Sequence, residues 1–432
     1  MIRGGRVIDP SQSIDRVADV TIVDGRIGAV GPAGSAAGGT IDAEGLIVCP
    51  GLIDMHVHLR EPGGEDQETI ETGTLAAAAG GFTSVACMPN TRPPIDDLPT
   101  LRFVQDRAGQ VARCRVYPIA AMTVGQRGQV PVDMAALKAA GAVAFSDDGR
   151  GVNEERVMRE LIERARACDA LLIQHCELAE FVGGGCMNLG RISRQIEVAG
   201  IDPRAEEEML ARDIRLIRET PVRYHVAHVS TKGAVDLVRR AKAERLPVTA
   251  EVAVHHLVLT EEAVLKFGAN AKMNPPLRTA EDVQACRAGL CDGTIDCIVT
   301  DHAPHTAEAK AKGLREAPFG ITGLETAWGL CWEVLVATGC LDAAGLVDRM
   351  SYGPAKLLQL CNLGTLVPGA PADVTLIDPA ATWVYDVTSV FSMSKNTPFL
   401  GRPLVGRPVA TLVQGVPRHT VEGYHSRFPH LL

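Results

Sequence analysis

Two histidines two residues apart, His56 and His58, follow an apolar run that begins at Leu52. Alternate residues of a β-strand point to the same side, so these two imidazoles can bind one metal ion together. The pair alone is weak evidence, because many His-x-His pairs are solvated or structural. It indicates a possible metal site that needs ligands from elsewhere in the chain.

Other residues able to bind metal also lie where apolar runs end. They are Asp148, His175, His228 and Asp301. Taken singly, each histidine could be a buried structural residue, and each aspartate could cap a helix or shape a turn. All six at the ends of strand-like runs form a pattern that favours a metal centre over these alternatives.

Six ligands are too many for one tetrahedral zinc ion, so we expect two ions. The division we expect places His56, His58 and Asp301 on one ion and His175 and His228 on the other, with Asp148 and a hydroxide as bridges. Zinc suits imidazole and carboxylate ligands, and cobalt and manganese stay open. Such a pair lowers the pKa of bound water to about 7 and polarises a carbonyl, which suits attack on an amide or ester.

Asp301 has a second possible role. A carboxylate beside the attacking water can take its proton and pass it to the leaving nitrogen. Asp301 could also be only a ligand, and the sequence leaves both roles open.

The elements that must position these residues read as alternating strands and helices. Eight apolar runs alternate with Ala-rich amphipathic stretches, the βα pattern of a parallel sheet. The runs are 52–59, 83–89, 115–121, 142–146, 171–175, 224–228, 248–254 and 295–300. Eight units predict a (β/α)8 TIM-like barrel, in which active sites lie at the C-terminal ends of the strands.

Both termini have the texture of short β-strands. Asp24-Gly25 marks a hairpin near the start, and apolar strand-like runs return after about residue 363. We therefore predict three segments: residues 1–50 and 363–432 together form a small β-sandwich, and residues 51–362 form the barrel.

Composition narrows the possible partners. The 432 residues carry a net charge of −9 and contain no cluster of Lys and Arg, which argues against nucleic acid. No apolar run is long enough for a membrane span, and the opening Met-Ile-Arg-Gly-Gly leads straight into strand-like sequence, so we expect a cytoplasmic protein without a signal peptide. The 12 scattered cysteines include no CxxC pair and are expected to be free thiols.

Several longer motifs resemble the dihydroorotases of the amidohydrolase superfamily, in the branch of bacterial monofunctional enzymes. They span most of the chain in order. They are Gly51-Leu-Ile-Asp-Met-His-Val-His-Leu-Arg-Glu-Pro-Gly63, Met88-Pro-Asn-Thr-Arg-Pro93, Asp147-Asp-Gly149, His175-Cys-Glu177, His228-Val-Ser-Thr231, Lys272-Met-Asn-Pro-Pro-Leu-Arg278, Thr300-Asp-His-Ala-Pro-His305 and Ala317-Pro-Phe-Gly320.

The resemblance implies a reaction and a substrate site. The reaction is the reversible cyclisation of N-carbamoyl-L-aspartate to (S)-dihydroorotate in pyrimidine biosynthesis, with Asp301 shuttling the proton. Arg60 and Asn90, assisted by His305, would hold the substrate carboxylate, and the planar fork of Arg60 suits that task. The resemblance also implies contacts with the substrate from His58, Asn274, Phe319 and Gly320.

Two positions of the chain depart from the pattern of the wider superfamily, and one loop near the predicted site is charged. Many amidohydrolases bridge their metals with a carboxylated lysine, and Asp148 takes that place here, as it does in the branch this chain resembles. Ala253-Val254 stands before His255-His256 where relatives often carry Thr-Pro, and we interpret the histidine pair as supporting or structural. The charged segment 306–318 is expected to be a mobile lid, with a plain solvated loop as the alternative.

Three questions stay open at this stage. A hydantoinase or allantoinase would share the metals but has no evident need for the carboxylate clamp. A non-catalytic subunit that scaffolds aspartate carbamoyltransferase would be expected to have lost metal ligands, and all six are present. The family also suggests a homodimer and a possible association with that transferase.

Overall fold

The computed structural model of the protein describes residues 1–32 and 39–428, with 18 strands in this part of the chain. In chain order they are β1 (Ile2–Asp9), β2 (Ile14–Val23), β3 (Arg26–Gly31), β4 (Ile41–Asp42), β5 (Ile47–Pro50), β6 (Leu52–Val57), β7 (Phe82–Cys87), β8 (Arg115–Pro118), β9 (Phe145–Ser146), β10 (Leu172–Gln174), β11 (Met187–Asn188), β12 (Gly200–Ile201), β13 (Tyr224–Val226), β14 (Val248–Ala253), β15 (Cys297–Val299), β16 (Val374–Tyr385), β17 (Arg402–Val413) and β18 (Val416–Thr420).

The α-helices lie mostly between the parallel strands. They are α1 (Ile70–Ala79), α2 (Leu98–Val111), α3 (Met134–Ala139), α4 (Glu155–Ala167), α5 (Arg191–Gln195), α6 (Arg204–Glu219), α7 (Lys232–Ala243), α8 (Val254–Val258), α9 (Ala263–Phe267), α10 (Ala280–Cys291), α11 (Ala307–Lys310), α12 (Gly313–Glu316), α13 (Ala327–Cys331), α14 (Ala343–Val347) and α15 (Gly353–Leu357). Helix α4 shows why they pack on the sheet: Val157, Leu161 and Ala165 recur at helical spacing and are buried.

The central strands form two parallel sheets. One has the order β6-β7-β8 and the other has the order β15-β14-β13-β10-β9. Single parallel bridges join them at both seams, between Ala120 and Phe145 and between Val57 and His302. The fold is an α/β TIM-barrel fold with an added sheet domain, and each of the eight predicted runs overlaps one of these strands.

The added domain contains strands from both ends of the chain. Strand β16 pairs antiparallel with β5, so the C-terminal part bonds directly to the N-terminal part. The order is β18-β17-β16-β5-β1-β2-β3, and β4 pairs with β1. The strands thus form one hydrogen-bonded sheet, because β5 and β16 meet edge to edge. The predicted β-sandwich arrangement of this sheet stays a prediction. The predicted segment limits, 1–50, 51–362 and 363–432, stay predictions.

The cysteines differ from the prediction in one respect. Cys291, at the end of α10, forms a disulfide with Cys340, and their Cα atoms are 5.8 Å apart. The two are 49 residues apart in the chain, and only the packing of α10 against the loop before α14 brings them together. The other ten cysteines are free, as expected. Among the described residues, no helix has the length and apolar character needed to cross a bilayer.

Candidate active site

The six predicted ligands meet at one end of the parallel strands. His56 lies in β6 and His58 directly follows it. Each of the other four follows the end of its own strand: Asp148 follows β9, His175 follows β10, His228 follows β13 and Asp301 follows β15. Every one of them is at least 95% buried. The structure therefore brings together the whole set that the sequence predicted.

Three overlapping triads in this cluster have ligand atoms within 4.8 Å of one another. They are His56 with His58 and Asp148, Asp148 with His175 and His228, and His56 with His228 and Asp301. Asp148 Oδ1 lies 3.4 Å from His56 Nε2 and 3.5 Å from His175 Nδ1. This central place between two groups of histidines is the one that a bridging carboxylate requires.

Two atoms in the centre lack partners. His56 Nε2 and Asp148 Oδ1 are buried and make no hydrogen bond. A buried polar atom without a partner costs about 1–3 kcal/mol, so such atoms need an explanation. An ion among the triads would bind both atoms, and imidazole with carboxylate is a donor set that suits zinc. The residues therefore fit a metal centre.

Buried carboxylates orient the first histidine. His56 Nδ1 donates to Glu251 Oε1 at 2.5 Å, which leaves Nε2 to face the cluster. The same carboxylate accepts from His225 Nε2 at 3.2 Å and from the backbone N–H of His228 at 3.3 Å. Carboxylate partners of this kind fix the tautomer and rotation of a metal-binding histidine. Sequence reasoning missed Glu251, although a lone charge inside the apolar strand β14 was a signal.

A second missed carboxylate joins the first and last strands of the site. Asp54, in β6, accepts from the backbone N–H of His56 and from that of Thr300, both at 3.1 Å. The Thr300 hydroxyl donates to the same carboxylate at 2.5 Å. Burial raises the pKa of Asp54 to about 7. The contact sets the spacing between the strand that carries His56 and the turn that carries Asp301.

The cluster is held by opposite charges. Burial alone lowers the pKa of His56, but the neighbouring carboxylates, Asp301 foremost, raise it well above its ordinary value. Burial likewise raises the pKa of Asp148, yet the charge on His56 and the close approach of the other histidines hold it well below its usual range. The pKa of Asp301 is lowered for the same reason. Metal binding here would replace protons on the histidines.

A cleft of about 300 Å³ opens beside the ligands. Its lining includes all the predicted substrate contacts except Gly320: His58, Arg60, Asn90, Asn274, His305 and Phe319. Asn90 accepts from His58 Nδ1 at 2.8 Å through Oδ1, and its Nδ2 lies 3.4 Å from Asp148 Oδ2. Asn90 thus also holds the ligand cluster, a task that the sequence did not reveal.

Arg60 and His305 form the opposite wall of the cleft. Arg60 Nε donates to Pro304 O at 3.1 Å, and Nη2 lies 3.3 Å from His305 Nε2. Burial and then the charge of Arg60 lower the pKa of His305 to about 3, so its imidazole is neutral. His305 Nε2 donates to Phe319 O at 2.7 Å. A single cation, Arg60, therefore faces the cleft from this wall.

The predicted lid consists of the short helices α11 and α12. Its anchor is a buried lysine: Lys310 Nζ donates to Gly320 O at 2.9 Å and to Pro318 O at 3.0 Å. Position 320 requires a glycine, because a Cβ there would lie 2.4 Å from Ala303 O. Lys310 thus ties the segment to the loop that carries Phe319 and Gly320, and the predicted contact of Gly320 with the substrate stays a prediction.

Another residue that sequence reasoning missed is distant in the chain but bonds directly to the same loop. Asn396 Nδ2 donates to Ala303 O at 2.9 Å and to Gly320 O at 3.0 Å, and its Oδ1 accepts from the backbone N–H of His305 at 2.9 Å. Nothing near Asn396 in the sequence indicated this role. The pair His255 and His256 is buried, and His256 Nε2 donates to Pro275 O at 3.0 Å, consistent with a structural role.

Comparisons with known proteins point to one family. Residues 45–234 match a family model described as dihydro-orotase-like. The chain is 51% identical to a dihydroorotase of Pelotomaculum thermopropionicum over 96% of its own length and 97% of the relative. It is 48% identical to a dihydroorotase of Solibacter usitatus, with 96% of each chain covered.

Solved structures with the same fold include hydantoinases. An L-hydantoinase (dihydropyrimidinase) from Arthrobacter aurescens is similar with a TM-score of 0.88 at 27% identity, covering 96% of this chain and 95% of that one. A D-hydantoinase from a Thermus species has a TM-score of 0.85 at 26% identity, covering 97% and 96%. Both similarities extend through the barrel and the sheet domain.

Proposed function

We propose, from the premise that this chain belongs to the dihydroorotase family, that its cleft catalyses the reversible conversion of N-carbamoyl-L-aspartate to (S)-dihydroorotate and water. The chain is a hydrolase of cyclic amides. The observation that carries the proposal is one cleft that joins a six-residue ligand cluster to the Arg60 cation. The first suits a ring amide and the second suits a carboxylate, and dihydroorotate has both.

We propose that two zinc ions occupy the cluster. His56, His58 and Asp301 would hold one, His175 and His228 would hold the other, and Asp148 would bridge them. This division is supported by the triads that share Asp148. When bound, zinc ions lower the pKa of a coordinated water and polarise the carbonyl of a substrate.

Asp301 is proposed as the group that moves the proton. Its Oδ1 lies 3.0 Å from His58 Nε2 and 3.5 Å from His56 Nε2, and it borders the cleft. Its lowered pKa keeps it ionised and able to accept a proton. In ring opening it accepts the proton of the attacking water and delivers it to the ring nitrogen as the amide bond breaks. Ring closure runs the same transfers in reverse.

Arg60 is proposed to bind and orient the substrate. Its guanidinium pairs with the substrate carboxylate, with Asn90 and the neutral His305 as hydrogen-bonding neighbours. This fixes the ring with its amide carbonyl towards the ligand cluster. Phe319 closes the cleft on the far side and helps to exclude water from the reacting bond.

We further infer that the eight parallel strands close into a complete (β/α)8 barrel. The inference is supported by the single bridges at both seams, Ala120 to Phe145 and Val57 to His302. Closure places all eight strand ends around one mouth, where the ligands lie. A homodimer and an association with aspartate carbamoyltransferase stay predictions.

A hydantoinase is the second candidate, favoured by the structural similarity at 26–27% identity. Substrate choice separates the two. The purified protein, loaded with zinc, is assayed with dihydroorotate and with hydantoin. We expect turnover of dihydroorotate, and turnover of hydantoin alone would contradict the proposal.

A further inference from the structure

Glu177 contacts two residues that line the cleft, His175 and Asn274, and has no role in the proposed reaction. It follows His175 by two residues, and its side chain is 17% exposed. Glu177 Oε2 accepts from Asn274 Nδ2 at 2.8 Å and lies 4.0 Å from His175 Nε2. It is therefore placed between a metal-ligand histidine and an amide that lines the cleft.

The Asn274 amide has two neighbours that prefer opposite orientations. His175 turns Nδ1 towards Asp148, so Nε2 carries the ring hydrogen when Nδ1 binds an ion. That Nε2 lies 3.3 Å from Asn274 Nδ2, which places two donors side by side. A flipped amide would give His175 an acceptor but would set Asn274 Oδ1 against the Glu177 carboxylate. The contact with Glu177 is shorter and charge-assisted, so it decides the orientation.

The chosen orientation leaves an acceptor without a partner. Asn274 Oδ1 is buried and makes no hydrogen bond, a property it shares with His56 Nε2 and Asp148 Oδ1. Those two atoms face the place where an ion would bind. Asn274 lines the same cleft, so its free acceptor is suited to an N–H group of a guest.

We propose that Glu177 is a positioning residue that holds the Asn274 amide so that Oδ1 accepts a ring N–H of the substrate. The inference rests on the proposed function and adds a specificity rule to it: the cleft requires a donor on the ring at this point. Without the carboxylate, the amide flips towards His175, and the cleft presents Nδ2, a donor, in place of the acceptor.

An isosteric exchange tests the pair. The variants are Asn274→Asp, Glu177→Gln and the double variant, each loaded with zinc and checked for metal content and melting temperature. Asn274→Asp alone opposes two carboxylates and is expected to raise KM by about 30-fold, the size of a lost charge-assisted hydrogen bond. In the double variant the glutamine amide donates to one aspartate oxygen and leaves the other facing the cleft. We expect its KM to return to within about fivefold of wild type.

The same cycle of variants can also contradict the proposal. A double variant no better than Asn274→Asp, or worse by the product of the single effects, would overturn the proposal, because the two side chains would then act independently. If Asn274→Asp does not fold, Glu177→Leu and Asn274→Ala replace it. Glu177→Leu should then change KM by less than about twofold in the Asn274→Ala background, and a full effect there would overturn the proposal.

Methylated substrates test the acceptor itself. Dihydroorotate methylated at one ring nitrogen, and then at the other, is compared with the parent. One of the two is expected to raise KM at least about tenfold in wild type, with little penalty in Asn274→Ala. Equal penalties in both proteins would exclude the acceptor role. If wild type turns over only hydantoin, the proposed function fails, and the same cycle run with hydantoin still decides the role of Glu177.

Discussion

The two walls of the cleft are built by different means. The ligand wall is carried by strands and the residues just after them, and a buried carboxylate, Glu251, holds His56 behind it. On the substrate wall, Phe319 lies on a loop that Lys310 and Asn396 hold through backbone carbonyls, and Arg60 donates to Pro304 O. Rigid strands suit ions, which require fixed distances. Tethered loops suit an organic guest, whose shape and position differ along the reaction.

The largest expected effect is on the ligand wall. Asp301→Asn removes the proposed proton acceptor while keeping its size. We expect kcat to fall by about 10³-fold, within the usual range for a lost acid–base group. Steady-state kinetics measures the loss, and circular dichroism should show an unchanged melting profile. Activity within tenfold of wild type would remove Asp301 from proton transfer.

The support behind that wall can be tested through metal binding. Glu251→Gln weakens the hold on His56 Nδ1, and zinc affinity is expected to fall about 10- to 100-fold. Competition with a chelator measures the affinity. Asp9→Asn, a buried carboxylate of the terminal sheet, is the matched control and should leave zinc affinity unchanged. Equal losses in both variants would mean that only general stability has changed.

The substrate wall should respond in KM. Arg60→Met removes the charge and keeps the length of the side chain, and KM for dihydroorotate is expected to rise about 10- to 100-fold with bound zinc unchanged. Arg102→Met, at an exposed site on α2, serves as the control. An unchanged KM in Arg60→Met would contradict the carboxylate clamp.

The tether of the substrate wall should have a smaller effect. Lys310→Met keeps the buried stem but removes the donors to Pro318 O and Gly320 O, and kcat/KM is expected to fall about tenfold. Lys312→Met, exposed in the same segment, should behave like wild type. A loss shared by both variants would point to the charge of the segment rather than to the tether.

The terminal sheet should matter least for activity. Leu412 is fully buried in the core of that sheet, and Leu412→Ala is expected to cost about 2–5 kcal/mol of unfolding free energy. We expect kcat/KM to stay within twofold of wild type below the melting temperature. A fall in kcat/KM of tenfold or more in the folded variant would show that the sheet also shapes the cleft.

The six candidate ligands could be grouped from the sequence because each lies at the end of a local pattern. The strand-like alternation of the run 52–59 predicted that His56 and His58 lie on one side, and the short apolar runs located Asp148, His175 and Asp301. The same local patterns showed that both termini form strands. They did not show that β5 and β16 share an edge, because hydrogen-bond partners across more than 300 residues leave no local trace.

The supporting residues were harder to predict for the same reason. Glu251 could have been noticed as a charge inside an apolar strand, but its partner His56 lies 195 residues away. Asn396 lies in a segment without a regular pattern, and its partners lie 76 to 93 residues away in the chain. The Cys291–Cys340 pair lacked any motif. Tertiary packing decides such contacts, and spacing along the chain does not.

The hydrogen bonds of Asn396 with the loops of the barrel also bear on how the protein is synthesised. Translation has added all six candidate ligands once residue 301 is in the chain, but Asn396 follows 91 residues after His305 and 76 residues after Gly320, the residues that it bonds. A growing chain therefore contains all six candidate ligands before it contains the residue that holds its substrate wall. A chain that stops between residues 301 and 396 would lack the bonds to Ala303 O and Gly320 O, so different parts of the chain complete the ligand cluster and the substrate wall.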